Sequence, residues 1–226
     1  MSNIIEIRGL TKNYPLGQTT VHALRGIDLD IQTGAMTSII GPSGSGKTTL
    51  LNIIGCIDTS SSGSVKIGGR EINGLNDRQI TDLRLLTIGF IFQTFNLIPV
   101  LNILENIEFP LLLMKKQTPA EIRRRAERLA DEVGLTEYVH HRPAELSGGQ
   151  RQRVAIARAL VTSPSIVLAD EPTANLDSVT GEQILELMRK MNKVEKTTFI
   201  FSTHDPNILK YAKRVTKLKD GVIVSK

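Results

Sequence analysis

At 226 residues, with 40% hydrophobic and 23% charged side chains, the chain has the composition of one compact globular unit with a subdomain, and not of a disordered or collagen-like polymer. Its formal charge of +5 is scattered without a basic block, so a nucleic-acid partner is not indicated and most Lys and Arg read as solvated surface. A single cysteine, Cys56, rules out an internal disulfide, and the apolar run Ile53-Ile54-Gly55-Cys56-Ile57 around it reads as a buried helix end.

In chain order, Ile4, Ile5 and Ile7 and then Leu24, Ile27, Leu29 and Ile31 recur near strand spacing, which predicts short strands in an antiparallel sheet. The opening residues lack the basic start, apolar run and cleavage site of a secretory signal. Met36 to Ile40 is a short apolar strand ending at Gly41, followed by a Gly/Ser-rich loop and a helix over Thr48 to Ile54. Asn76-Asp77-Arg78-Gln79 marks a capped helix start. A strand over Ile88 to Phe92 leads into Gln93.

From about Thr94 to Leu160 the pattern is helical, and Thr118-Pro119-Ala120-Glu121 has the cap, first-turn proline and third-position acid of a helix N-terminus. Residues 94–160 are therefore expected to form an inserted α-helical subdomain. Its longest apolar stretch, Phe109 to Met114, falls far short of the roughly 20 residues of a membrane helix. Strand-helix alternation resumes with Ile166 to Ala169, Val179 to Met191, Thr198 to Phe201 and the closing Val215 to Val224. The expected fold is α/β: a nucleotide-binding core over 1–93 and 161–226, carrying an N-terminal antiparallel β subdomain.

The chemistry begins at Gly41-Pro42-Ser43-Gly44-Ser45-Gly46-Lys47-Thr48, which fits G-x-x-x-x-G-K-[ST] between a predicted strand and a predicted helix. Glycines let backbone N–H groups turn toward phosphate oxygens, and the helix N-terminus adds partial positive charge. Lys47 reaches the β- and γ-phosphates, and the Thr48 hydroxyl holds Mg²⁺; Thr49 follows within the same phosphate-binding turn. The strand over Ile166 to Ala169 delivers Asp170 and Glu171 to its carboxyl end, where ligands of open α/β sheets bind. There Asp170 suits the magnesium shell, and Glu171 suits orienting or deprotonating the attacking water. The phosphate loop alone does not separate kinases, GTPases, helicases and transporters, since its fold hosts all of them.

Leu146-Ser147-Gly148-Gly149-Gln150, followed by Arg151-Gln152-Arg153-Val154-Ala155-Ile156-Ala157-Arg158-Ala159-Leu160, resembles the signature motif and helix of ABC ATPases. Physically it is a second anion-binding helix N-terminus without a lysine of its own. Along essentially the whole chain the resemblance supplies further roles. Tyr14 resembles the aromatic that stacks on adenine, Gln93 the glutamine that touches Mg²⁺ and the water, and His204 the γ-phosphate sensor. Taken singly, Tyr14 reads as a strand aromatic, Gln93 as a polar strand end and His204 as a cap beside Asp205; their spacing from the stronger motifs favours function. Asn175-Leu176-Asp177 resembles the loop through which two subunits communicate.

Asn52-Ile53-Ile54-Gly55, Phe92-Gln93-Thr94-Phe95-Asn96-Leu97-Ile98-Pro99 and Pro172-Thr173-Ala174-Asn175-Leu176-Asp177 are similar to the lipoprotein-releasing and macrolide-exporter ATPases. Arg84-Leu85-Leu86-Thr87 departs from that group, where more polar or basic residues precede the strand. The resemblance implies ATP and Mg²⁺ as cofactors and a homodimer in the ATP state. It also implies integral membrane permease subunits as partners, at the cytoplasmic face of the cell's inner membrane, with membrane association through those partners only. A chromosome- or repair-type ATPase head would need a long heptad segment between its halves, which this chain lacks. A cell-division ATPase that transmits force without transport remains the alternative.

Overall fold

The computed structural model describes residues 2–203 and 206–225. In chain order its elements are β1 (Asn3–Leu16), β2 (Thr19–Gln32), β3 (Met36–Ile40), α1 (Lys47–Ile54), β4 (Ser62–Ile67), β5 (Arg70–Glu71) and α2 (Asp77–Thr87). There follow β6 (Ile88–Ile91), α3 (Ile103–Met114), α4 (Pro119–Glu132), α5 (Gly148–Leu160), β7 (Ile166–Asp170), α6 (Ser178–Glu195), β8 (Thr198–Thr203), β9 (Arg214–Lys219) and β10 (Val222–Ser225). They group into two compact units, one formed by the described residues up to Arg84 and from Thr198 onward, the other by Leu85–Thr197.

The first unit contains the antiparallel sheet β2-β1-β4-β5. The sequence predicts short strands here, but β1 and β2 each run for 14 residues, broken by shifts in pairing register on either side of Leu10. Gly9 and Gly26 lie in these irregular stretches with positive φ, so the strands bend where the pattern alone suggests they end. Inward residues Ile5, Ile7, Leu10, Leu24, Ile27 and Ile31 are buried. The same unit holds β3 between parallel neighbours β8 and β9, with β10 antiparallel to β9. Ile39, Leu50, Ile53, Phe199, Phe201 and Leu218 form its second core. Asn76 caps α2 as expected: its side chain accepts from Gln79 N at 2.9 Å, and Gln79 returns the bond at 3.0 Å. Cys56 is buried, and burial pushes its thiol pKa up, in keeping with a core role.

The second unit pairs β6 with β7 in parallel, Ile88 opposite Ile166 and Ile91 opposite Ala169. Helices α3, α4 and α5 pack together over Ile103, Ile107, Leu129, Val154 and Ile156, all fully buried. Each is started by a capping box: Asn102 with Glu105, Thr118 with Glu121 and Ser147 with Gln150. The segment 94–160 lies wholly in this unit, together with β6, β7 and α6. Among the described residues no helix is long and apolar enough to cross a membrane.

Candidate functional site

In the first unit, the loop Gly41–Gly46 joins the end of β3 to the start of α1. Two close approaches fix its path. A Cβ on Gly41 would lie 2.1 Å from the Leu218 carbonyl oxygen, and one on Gly46, whose φ is 102°, would lie 2.6 Å from that of Ala23. Glycine at these positions lets the loop lie directly on β9 and β2. Gly44 also has positive φ, but its side-chain position faces open space, as a loop that leaves room for a ligand requires. Pro42 and Ser45 brace the turn through a bond from Ser45 N to Pro42 O at 3.2 Å, and Ser43 sits exposed at its tip.

The Lys47 ammonium folds back over the loop and donates to Gly41 O at 2.8 Å and Pro42 O at 3.0 Å. Helix α1 has no side-chain cap and no acid in its first turn, whereas α2 to α6 all start on a capping side chain. The partial positive charge of this helix start is thus not offset by a cap or an acid of the chain, and it lies beside a lysine with no carboxylate partner among the described residues. These residues fit a nucleotide's phosphates. Thr48 and Thr49 stand on this first turn.

The Tyr14 hydroxyl donates to Asp58 Oδ2 at 2.6 Å. Lys12 Nζ donates to Asp58 Oδ1 at 2.6 Å and to Thr59 O at 2.7 Å, and lies 4.8 Å from the Tyr14 ring centroid. Burial works to raise the Asp58 carboxyl, but the bonds from Lys12, Tyr14 and the Thr59 backbone outweigh it and hold the pKa below the usual carboxylate value. Burial and then the bond to Asp58 raise the Tyr14 phenol, so it stays a neutral donor. Asp58 therefore orients a half-exposed ring that a base can stack on. Asp58→Asn removes the charge that anchors Lys12, and is expected to weaken ATP binding by about 1 kcal/mol, roughly five-fold, while tripolyphosphate binding is unchanged. Titrations with both ligands check this; an equal loss for both would place Asp58 in the phosphate site instead.

In the second unit, the parallel pairing of β6 and β7 brings Gln93, just past Ile91, to the same sheet edge as Asp170 and Glu171. Glu171 has φ of 46°, which ends the strand abruptly at the residue after Asp170. An amide and a carboxylate on neighbouring strand ends suit Mg²⁺, which takes few protein ligands and relies on phosphate and water oxygens. Among the described residues no group of three or more His, Cys, Asp or Glu occurs in metal-binding geometry.

Ser147 caps α5 by accepting from Gln150 N at 3.2 Å, and Gln150 returns the bond to Ser147 N at 2.9 Å. This places Ser147, Gly148, Gly149 and Gln150 at a helix start, as the sequence predicts. The glycine pair has a packing role that the sequence alone does not reveal. A Cβ on Gly149 would lie 2.5 Å from Thr180 Cγ2 on α6, and one on Gly148 would lie 3.3 Å from Leu176 Cδ2. Gly149→Ala is expected to destabilise the protein by about 1–3 kcal/mol through this clash. Thr180→Ser deletes the offending methyl and keeps the bond from Thr180 N to Asp177 Oδ1, so the double variant should regain most of the lost melting temperature. His204 lies outside the described residues.

The sequence profile described as ABC transporter matches residues 24–174, about two thirds of the chain. The chain belongs to the ABC transporter family. It is 46% identical over 223 residues to the uncharacterized ABC transporter ATP-binding protein MJ0796 of Methanocaldococcus jannaschii, covering 97% of this chain and 95% of that one. It is also 48% identical over 222 residues to the macrolide export ATP-binding/permease protein MacB of Mannheimia succiniciproducens, where it spans 98% of its own length but 34% of the relative's. Two solved dimers of MJ0796 superpose on it. One is a dimeric cassette with a TM-score of 0.91 at 45% identity, and the other is a post-hydrolysis state bound to ADP and Pi with a TM-score of 0.90 at 44% identity. Each covers 98% of this chain and 97% of the other.

As an ABC ATPase, the chain hydrolyses ATP and uses Mg²⁺ with it. The matched stretch includes the phosphate loop, Gln93, the signature motif and the Asp170-Glu171 pair, and it begins after Tyr14. Lys12 and Asp58 escape sequence reasoning because nothing local marks them; they meet across 46 residues of chain.

Proposed function

We propose that this chain works as a homodimer that closes on ATP and drives integral membrane permease subunits at the cytoplasmic face of the membrane. Each ATP is held between the Gly41–Thr49 loop of one copy and the Ser147–Gln150 helix start of the other. The observation that carries this reading is the presence in one chain of two anion-binding helix starts of unequal kind. The start of α1 comes with a lysine and no cap, while the start of α5 has no lysine and two glycines. The dimers of MJ0796 support it.

In the proposed cycle Lys47 and the loop N–H groups hold the β- and γ-phosphates, Tyr14 orients the base, and Glu171 takes the proton of the attacking water with Gln93 and His204 beside it. Thr48, Asp170 and Gln93 would hold Mg²⁺, which would supply positive charge to the phosphate oxygens. Residues 94–160 serve as the helical subdomain that meets the membrane partner. The apolar surface of the second unit supports this: Val100, Phe109, Leu112 and Leu113 are exposed there. The resemblance to macrolide exporters favours export or lipoprotein extraction over force transmission in cell division.

The experiment that tests the partner is purification of tagged Glu171→Gln protein from native membranes in mild detergent with ATP and Mg²⁺. A co-purifying membrane protein with a few spans and a large extracytoplasmic domain is the expected result. Recovery of division proteins alone would move the role to force transmission and leave the ATPase chemistry intact.

A further inference from the structure

The loop that follows β6 is fastened at every turn by side chains from outside it. Asn175 Nδ2 donates to Gln93 O at 2.7 Å. Phe95 and Asn96, with φ of 62° and 49°, are consecutive left-handed residues without glycine, a conformation that needs outside support. Arg158 supplies it: one guanidinium nitrogen donates to Phe95 O at 2.7 Å and the other to Asn96 O at 2.5 Å. Arg151, two helical turns earlier on the same face of α5, lies 5.2 Å over the Phe95 ring. Farther along, the fully buried Asn106 accepts from Ile98 N at 2.8 Å and donates to Ile98 O and Leu101 O, both at 3.1 Å.

Arg158 is half-buried, and among the described residues no carboxylate pairs with it. Its charge is directed entirely at two neutral carbonyls, which only a planar fork can reach together. We propose that Arg158 and Asn175 are positioning residues for Gln93, so that the helix beginning at Ser147 and the 175–177 loop together set where that glutamine stands. A shift of α5 or of the 175–177 loop then moves the loop carrying Gln93, because rigid hydrogen bonds at residues 93, 95 and 96 join them. This rests on the reading that Gln93 serves the hydrolytic step.

The test is a set of double-mutant cycles on the purified full chain, reading Mg²⁺-ATPase turnover, KM, ATP affinity and melting temperature. Gln93→Ala is expected to lower turnover about ten-fold or more. Arg158→Met and Asn175→Ala should each lower turnover about five-fold or more, with KM and ATP affinity within about two-fold of the parent. Combined with Gln93→Ala, neither should reduce turnover further, because the group each one positions is already gone. Asn175 is exposed, so its variant carries the test if Arg158→Met melts early. Losses that multiply in the double variants, or single variants with parental turnover, overturn the positioning role while leaving Gln93 in place. Parental turnover in Gln93→Ala overturns both.

Discussion

Glu171→Gln should slow ATP hydrolysis by at least about 100-fold while leaving ATP affinity within a few-fold of the parent. A positioned base contributes about 10²–10⁴ to such a step, and glutamine keeps the size and an acceptor oxygen but cannot take a proton. Glu171 stands directly after Asp170 at the end of β7, in a left-handed conformation that ends the strand there. In the proposed cycle binding rests mainly on the Gly41–Thr49 loop, which the substitution does not touch, so the loss should appear in kcat and not in Kd. Single-turnover hydrolysis and equilibrium nucleotide titration separate the two. A variant with parental kcat would remove Glu171 from the chemistry.

Lys47→Ala should act on the other term. The ammonium has two present partners, Gly41 O and Pro42 O, both neutral, and exchanging them for phosphate oxygens gives charge-assisted bonds worth about 1.5–3 kcal/mol. Loss of these bonds raises the Kd for ATP by roughly 10- to 100-fold. The alanine also removes the lysine's bond to Gly41 O and leaves Pro42 O with Ser45 N alone, so the loop should become more accessible to proteolysis between Gly41 and Gly46 even without nucleotide. Retention of parental ATP binding and hydrolysis would refute the phosphate cradle as assigned.

Much of this arrangement was legible in the sequence wherever the determining contacts are local. The strand Met36–Ile40, the loop at Gly41 and the helix to Ile54 follow from an apolar run, a glycine-rich turn and a resumed helical pattern. The boxes at Asn76 and Gln79 and at Thr118 and Glu121 are four-residue patterns whose hydrogen bonds form as read. Asp170 falls on the last residue of β7, as the end of an apolar strand predicts.

Besides the Lys12–Asp58 contact, three features were not legible. The first two strands run through their glycines because bulges preserve pairing, and pairing partners are invisible in a single strand's pattern. Gly149 reads as a phosphate-facing residue, yet within the chain its missing side chain is required by Thr180, 31 residues away. Arg158 reads as one more cation in an amphipathic helix, and its two carbonyl partners lie 62 and 63 residues distant. Contacts across such separations leave no periodicity to detect.

If ATP itself joins two copies of this chain, the mass of Glu171→Gln protein in solution must change with ATP and Mg²⁺. A monomer is expected without nucleotide and a dimer with saturating ATP, returning to monomer when ATP is replaced by ADP. A species that stays monomeric in saturating ATP, or a dimer indifferent to nucleotide, would contradict it.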